Sequence, residues 1–173
     1  MNPSIGLRPY LPQDAAALVA IFIASIEELG ADDYSVDQIA AWTAPADDVA
    51  QFGARLAGQL TLVASVDGEP VGFASAAGVD QIDMLYVHPL VARQGVATTL
   101  CDALEKLALA RGAKHVNVDA SDCAEPFFLQ RGYSAQRRNT IDLEGVWLGN
   151  TTMRKPLAAN DPAPPAPSTT GRT

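Results

Sequence analysis

The chain has 173 residues, 48% of them hydrophobic, which indicates a single domain of ordinary size with a substantial core. Its formal net charge of −8 argues against a nucleic-acid partner, because Lys and Arg form no basic patch beyond Arg137-Arg138. The longest uncharged apolar stretch, Ala15 to Ile26, is shorter than the roughly 20 residues that cross a bilayer, so no membrane span is expected.

Cysteine usage and the N-terminal sequence indicate an intracellular protein. Cys101 and Cys123 have no spacing typical of a zinc site or a disulfide framework, and the N-terminus does not resemble a signal peptide. We therefore expect a soluble, cytoplasmic protein without a metal site. Its acidic surface could attract a cationic amine or could simply keep the protein soluble.

Local patterns in the first sixty residues predict one strand followed by helices. Ile5 to Arg8 form the strand, and apolar residues then recur at three- and four-residue spacing from Ala15 to Leu29, as on one face of a helix. Ser35 and Gln38 have the spacing of a capping box, which predicts a second helix start. A further short helix is expected from about Asp47 to Leu56.

The next segment is typical of a meander of three strands. Leu60 to Val66 and Pro70 to Ala76 flank Asp67-Gly68, and Asp-Gly between apolar runs is the strongest short hairpin signal. Val79 to Val87 is the third strand. Strands joined by such tight turns must be antiparallel.

The chain continues with a strand–helix–strand unit. A long helix begins at about Ala97 and closes at Arg111-Gly112, and the strand His115 to Val118 follows. This strand should run parallel to Val79–Val87, with a right-handed crossover. A short helix over Asp122 to Gln130 comes next.

Two further strands and a proline-rich tail end the sequence. The strands are Tyr133 to Leu143 and Val146 to Lys155, joined at Glu144-Gly145. We expect one folded domain over residues 1–157 and a disordered tail over residues 158–173, where little can pack.

The stretch from Leu85 to Thr98 carries the clearest functional signal. An apolar strand ends, a turn of small residues follows, and a helix begins. Gly95 and Ala97 keep side chains out of the way, so backbone N–H groups can approach an anion closely. The helix start adds unpaired donors and the positive end of a dipole, which suits a pyrophosphate.

This loop resembles the coenzyme A loop of the GCN5-related N-acetyltransferases (GNAT). Gly95 and Ala97 match the family pattern, whereas Ala92 replaces its first Gln or Arg, and Arg93 comes one residue late. Ala124 to Tyr133 resembles the family's second cofactor motif, and Asn150 to Leu157 resembles its last strand. The three pieces stand in the family's order and spacing.

The resemblance covers Ile5 to Leu157 and implies the GNAT fold. This is an α/β (α+β) architecture, a mixed, mostly antiparallel seven-stranded sheet flanked by helices. One parallel strand pair is splayed around acetyl-CoA, here between Asp83–His88 and Val116–Ala120. The family would place the main chains of Leu85 and Val87 against pantetheine, with the Val87 N–H at the thioester oxygen. The cofactor residues implied are Leu85, Tyr86, Val87, Arg93, Gln94, Gly95, Val96, Ala97, Thr98, Ser121 and Phe128.

Acyl transfer to an amine also needs a base. Side chains alternate along a strand, so Gln81, Asp83, Leu85 and Val87 should share one face. The family often has a carboxylate near Gln81, and we interpret Asp83 as the candidate base, although a strand-surface carboxylate is an equally good reading. His88 is a second candidate if a bulge turns it toward the site.

The proton donor for the departing thiolate and the wall that binds the acceptor each have more than one interpretation. The family's Tyr four residues before the Gly of the second motif falls on Phe128, which has no proton to give. Ser121 could bond pantetheine or the thiolate, or could only cap a helix. Tyr34 and Trp42 could line the acceptor wall with Gln81 and Asp83, or could only pack a short helix.

We therefore interpret the chain as an acetyl-CoA-dependent N-acetyltransferase that acts by direct attack of a primary amine of a small molecule or protein. Dimers are common in the family, so a homodimer is possible. One alternative is a catalytically silent acyl-CoA-binding module of the same fold. Another is a nucleotide-binding α/β protein, but that needs a fully parallel sheet, and Asp67-Gly68 argues against it.

Overall fold

A computed structural model of the chain describes residues 4–158, which form one seven-stranded sheet with helices on both faces. The strands are β1 (Ile5–Pro9), β2 (Leu60–Val66), β3 (Glu69–Ala77), β4 (Gln81–Val87), β5 (His115–Ser121), β6 (Ser134–Leu143) and β7 (Val146–Pro156). The helices are α1 (Ala15–Leu29), α2 (Val36–Thr43), α3 (Val49–Ala57), α4 (Val96–Ala110) and α5 (Glu125–Gln130).

The order of strands across the sheet is β1-β2-β3-β4-β5-β7-β6. Within residues 4–158, β4 and β5 form the one parallel pair, and every other neighbouring pair is antiparallel. The predicted fold class is therefore confirmed, and a fully parallel nucleotide-binding sheet is excluded. The tail expected over residues 158–173 lies outside the described residues, apart from Ala158.

The turns and caps read from the sequence are present. Asp67 and Gly68 both have positive φ, as the two-residue hairpin turn between β2 and β3 requires. Gln38 donates its N–H to the Ser35 hydroxyl, and Ser35 donates its N–H to the Gln38 side chain, which completes the capping box of α2.

Two boundaries differ from the prediction around β5. The strand continues to Ser121, because its pairing with β7 extends as far as Asn150. Helix α5 begins at Glu125 rather than at Asp122, with Pro126 in its first turn. Ser121 therefore caps a turn rather than the helix, and its hydroxyl accepts the Ala124 N–H at 3.3 Å.

The sheet separates two apolar cores. One core packs α4 and α5 against one face, with Leu100, Val118 and Phe128 among its buried members. The other packs α1 and α3 against the opposite face of the first strands, around Phe22 and Phe73. Within the described chain, no helix is long and apolar enough to cross a bilayer.

Candidate active site

The parallel strands β4 and β5 pair over only two positions. Gln81 lies opposite Asn117 and Ile82 opposite Val118, and beyond them the two strands separate while β5 stays bonded to β7. The predicted splay is therefore present. It opens on β5 after Val118, somewhat later than the expected start at Val116.

A β-bulge at Asp83 marks the start of the opening. Across the β3–β4 ladder Met84 pairs with Ser75 and Ile82 with Ala76, so Asp83 is the extra residue. A bulge breaks the alternation of side chains along a strand. Asp83 consequently reaches α3, whereas Leu85 and Val87 pack on the α4 side. The expectation that Gln81, Asp83, Leu85 and Val87 share one face is wrong for this reason.

The bulge also sets the direction of main-chain groups beyond it. The His88 N–H donates to the Val71 carbonyl at 2.8 Å. Main-chain groups of an antiparallel strand point to alternate sides, so Met84 and Tyr86 bond to β3 as His88 does. The N–H and C=O of Leu85 and Val87 therefore point into the gap.

The wide end of the gap meets the loop before α4. Gly95 has φ of 87° and is the N-cap of the helix, and Arg93 also has positive φ. Nothing lies within 4 Å of where a Cβ of Gly95 would stand, so the space in front of it is open. The first N–H groups of α4, those of Val96, Ala97 and Thr98, have no intrahelical acceptor. Successive N–H groups in such a loop form a concave anion site.

His88 and Gln94 are used to shape this loop. The His88 ring accepts the Leu90 N–H at 3.2 Å, which caps the short turn Pro89–Val91. The Gln94 amide donates to the Leu90 carbonyl at 3.3 Å. The bulge does not turn His88 toward the cavity described next.

A cavity of about 310 Å³ lies at the narrow end of the gap. The residues predicted for the site that line it are Tyr34, Trp42, Asp83, Leu85, Tyr86, Ser121 and Phe128. Within residues 4–158, Gln81 and Val87 are not among its lining residues. Gln81 lies in the closed part of the β4–β5 pair, and Val87 lies between the cavity and the α4 loop.

The Asp83 carboxylate is held by two side chains at the floor of this cavity. Arg55 of α3 donates to both of its oxygens, with Nη2–oxygen distances of 2.7 and 2.9 Å. Gln59 donates to Oδ2 at 2.8 Å. Oδ2 is therefore fully used, whereas Oδ1 accepts one hydrogen bond within the described structure and keeps a lone pair for a ligand.

An aromatic wall faces Asp83. Trp42 packs edge-on against Tyr34, with ring centroids 5.2 Å apart, and Tyr86 packs against Phe22 at 4.7 Å. Burial raises the pKa of Tyr86, and burial also raises the pKa of Tyr34, opposed by its contacts with the Asp122 N–H and Ser121. Both phenols are therefore neutral at pH 7.

The remaining predicted residues lie at the end of β5. Phe128 is 2% exposed and packs on Tyr133, with ring centroids 5.0 Å apart. The Ser121 hydroxyl lies 3.2 Å from the Cys123 sulfur. Burial raises the pKa of the Cys123 thiol, and the pKa of the Cys101 thiol is raised to about 12 for the same reason.

Several lining residues were not anticipated. Arg55 lines the cavity, and Gln59 supports Asp83 from outside the lining; the two reach Asp83 across 28 and 24 residues of sequence, and no local pattern joins them to the strand. Asn150 comes from the segment that the sequence marked only as a last strand, whereas Leu148 lies in the segment Asn139 to Gly149, which we expected to form part of the acceptor wall.

Comparison with known proteins places this site in a family. The sequence profile described as an acetyltransferase (GNAT) domain matches residues 30–157. The chain belongs to the GNAT acetyltransferase family. The predicted family and enzyme class are confirmed by this match.

Relatives of this GNAT protein agree with the assignment. The chain is 35% identical over 151 residues to the uncharacterized N-acetyltransferase YafP of Escherichia coli (strain K12), a match that covers 87% of this chain and 95% of YafP. It is 61% identical to a GCN5-related N-acetyltransferase of Rhodopseudomonas palustris, with a TM-score of 0.87 and coverage of 91% and 97%.

A more distant structure shares the fold and was solved with a ligand. PaiA N-acetyltransferase of Thermoplasma acidophilum, in complex with coenzyme A, is 18% identical with a TM-score of 0.74. The match covers 89% of this GNAT chain and 99% of PaiA.

Proposed function

We propose that this GNAT protein transfers the acetyl group of acetyl-CoA to a primary amine by direct attack. The observation that carries the proposal is the gap beyond Ile82 and Val118, which joins an anion site at α4 to a mostly apolar cavity. Both ends of an acyl-CoA thus find a matching environment, because the gap has a diphosphate site at one end and a cavity with a mostly apolar lining at the other.

The residues along the gap fit the coenzyme group by group. The N–H groups from Arg93 to Thr98 would hold the diphosphate, and the open space at Gly95 admits it. The main-chain groups of Leu85 and Val87 have the spacing of a strand edge and would pair with the amides of pantetheine. Phe128 would pack against the thioester end from the α5 side.

Two backbone N–H groups, those of Leu85 and Val87, are candidate donors to the oxyanion that forms at the thioester carbonyl. The sequence indicated the Val87 N–H, but Leu85 lines the cavity and stands farther from the diphosphate site. We propose that the Leu85 N–H polarises the thioester carbonyl and that the Val87 N–H holds pantetheine. One such donor stabilises a transition state by roughly 3–4 kcal/mol in other enzymes.

Asp83 is our candidate base for the amine. Its Oδ1 keeps a lone pair toward the cavity, so it can accept an amine proton directly or through one water. Arg55 and Gln59 would fix the carboxylate in place, because they occupy its other oxygen. Trp42 and Tyr34 would form the acceptor wall.

The acceptor is a primary amine of a small molecule or a protein, and we propose a cytoplasmic location. The free thiols Cys101 and Cys123 support a reducing compartment. A homodimer, common in the family, is part of the same proposal.

The decisive test is the release of free thiol from acetyl-CoA with a panel of amines that contains small alkyl and aryl amines, amino acids and lysine peptides. We expect at least one amine to accelerate release and to appear as its N-acetyl product in mass spectra. CoA binding with no acceleration by any amine would instead support the silent acyl-CoA-binding module.

A further inference from the structure

A proton donor for the departing sulfur is missing from α5, because Phe128 occupies the position that faces the gap there. A gap between two strands is, however, open to both faces of the sheet. Tyr34, in the connection between α1 and α2, lines the same cavity from the opposite face. Its side chain is 7% exposed, so the ring is fixed rather than free in solvent.

The Tyr34 hydroxyl is anchored at the end of β5. It accepts the backbone N–H of Asp122 at 2.8 Å, directly after Ser121. Arg138 pairs with the Asp122 carboxylate and holds this turn from the other side. The hydrogen bonds of the described residues use the phenol oxygen only as an acceptor, so its proton remains for a ligand.

We propose that Tyr34 is the general acid that protonates the sulfur of CoA, an inference that rests on the proposed function. Tyr34 donates its phenol proton as the carbon–sulfur bond breaks and the electron pair stays on sulfur. Water then returns a proton to the phenolate. The proton lost by the amine leaves separately, through Asp83, so the reaction is balanced.

The chemistry of the neighbouring groups favours Tyr34 over them. In water a phenol ionises near pH 10 and a thiol near about 8.5, so proton transfer between them is nearly balanced. The Ser121 hydroxyl is a much weaker acid than a phenol. The Cys123 sulfur lies 3.2 Å from the Ser121 hydroxyl, so these two groups form a hydrogen bond with each other, in which either can be the donor.

The test compares Tyr34→Phe with Tyr133→Phe. Tyr133 is an equally buried tyrosine, but its hydroxyl donates to Glu105 and lies outside the cavity. We expect Tyr34→Phe to lower kcat for acetyl-CoA by about 10- to 100-fold, because general acids contribute roughly 10²–10⁴-fold and water replaces part of this. Tyr133→Phe should retain the wild-type kcat.

The selenoester analogue of acetyl-CoA separates acid catalysis from a general loss of structure. A selenolate leaves without a proton, so the Tyr34→Phe deficit should nearly vanish with this donor. Three results for Tyr34→Phe would overturn the assignment. These are an equal loss of kcat with acetyl-CoA and with the selenoester, a wild-type kcat with acetyl-CoA, and an effect confined to the KM of the amine. A wild-type protein inactive with every amine would overturn the proposed function itself.

A second readout needs no turnover. With protein in excess over CoA, the alkylation of bound CoA by iodoacetamide is followed against pH by mass spectrometry. A hydrogen bond from Tyr34 favours the thiolate, so Tyr34→Phe should raise the apparent pKa of the bound thiol by on the order of one unit. The same apparent pKa in the wild type, Tyr34→Phe and Tyr133→Phe would contradict direct contact with sulfur.

Discussion

At the scale of single residues, Asp83 combines a position in a β-bulge with a carboxylate that two side chains hold in place. It is the extra residue of a bulge, and it is clamped by a guanidinium and an amide. A carboxylate held in this way is well positioned to accept a proton, but the same ion pair also holds the Arg55 guanidinium at the cavity. Asp83 can therefore act as a base, or it can serve only to orient Arg55 toward a ligand.

We expect Asp83→Asn to lower kcat by about 10²-fold, since a positioned base contributes roughly 10²–10⁴-fold. The affinity for CoA should be unchanged, because Asp83 lies away from the diphosphate loop. Steady-state kinetics and calorimetric CoA binding measure the two effects. Asp80→Asn is the matched control, as Asp80 pairs with His115 outside the cavity.

Arg55→Met separates the two roles of Asp83. If Asp83 is the base, Gln59 still holds the carboxylate after the loss of Arg55, so Arg55→Met should lose less activity than Asp83→Asn. If Asp83 only orients Arg55, the two variants lose activity equally. Wild-type turnover in Asp83→Asn would exclude both roles.

At the scale of elements, the turns, the caps and the parallel pairing of β4 with β5 were predicted correctly, whereas the bulge and the side-chain contacts across the sheet were not. The Asp67-Gly68 turn, the capping box at Ser35 and the start of α4 depend on residues within a few positions of one another, so the sequence contains them. The bulge at Asp83 depends on how β4 meets β3, and a bulge shifts every later side chain to the opposite face. The Asp83–Arg55 pair could not be predicted for the same reason.

The loop before α4 gives the prediction that belongs to this scale. We expect Gly95→Glu to weaken CoA binding by at least about 100-fold, because a carboxylate would occupy the anion site and repel the diphosphate. Calorimetric titration with CoA measures the loss.

A matched control separates this effect from backbone strain. Gly78 also has positive φ and open space around its Cβ position, but it lies in the β3–β4 turn. Gly78→Glu should therefore bind CoA as the wild type does. Equal loss of affinity in both variants would mean that strain, and not the anion site, explains Gly95→Glu.

At the scale of the whole molecule, one charged cluster joins three elements on the α4 side of the sheet. Glu105 of α4 accepts hydrogen bonds from Arg131 at 2.9 Å, from Tyr133 at 2.9 Å and from Lys155 of β7 at 3.1 Å. The Glu105 side chain is only 11% exposed. The cluster therefore fastens α4 to the connection between α5 and β6 and to β7.

Removing the centre of this cluster should destabilise the domain. We expect Glu105→Ala to lower the free energy of unfolding by about 1–3 kcal/mol, because the Tyr133 hydroxyl and the Lys155 ammonium lose this acceptor and Arg131 keeps only Asp102. Asp102→Ala removes another partner of Arg131. Because the Asp102 side chain is 52% exposed, this substitution should lower the free energy of unfolding by less than about 1 kcal/mol. Urea unfolding of the two variants measures the difference, and equal losses would contradict a special role for the buried carboxylate.

The ion pair between Arg8 and Asp14, near the start of the chain, should make the stability of the domain depend on pH. Hydrogen bonds from Arg8 lower the pKa of the buried Asp14 carboxyl. Burial raises this pKa and so opposes the shift, whereas the hydrogen bond from the Leu11 N–H lowers the pKa further. A carboxyl whose pKa is lower in the folded state stabilises the protein above its unfolded pKa of about 3.9 and loses this contribution as pH falls further. We expect Asp14→Asn to cost about 2 kcal/mol at pH 7, and this difference from the wild type should shrink below about pH 4. Urea unfolding across this pH range measures it, and a difference independent of pH would show that packing rather than the Asp14 charge is responsible.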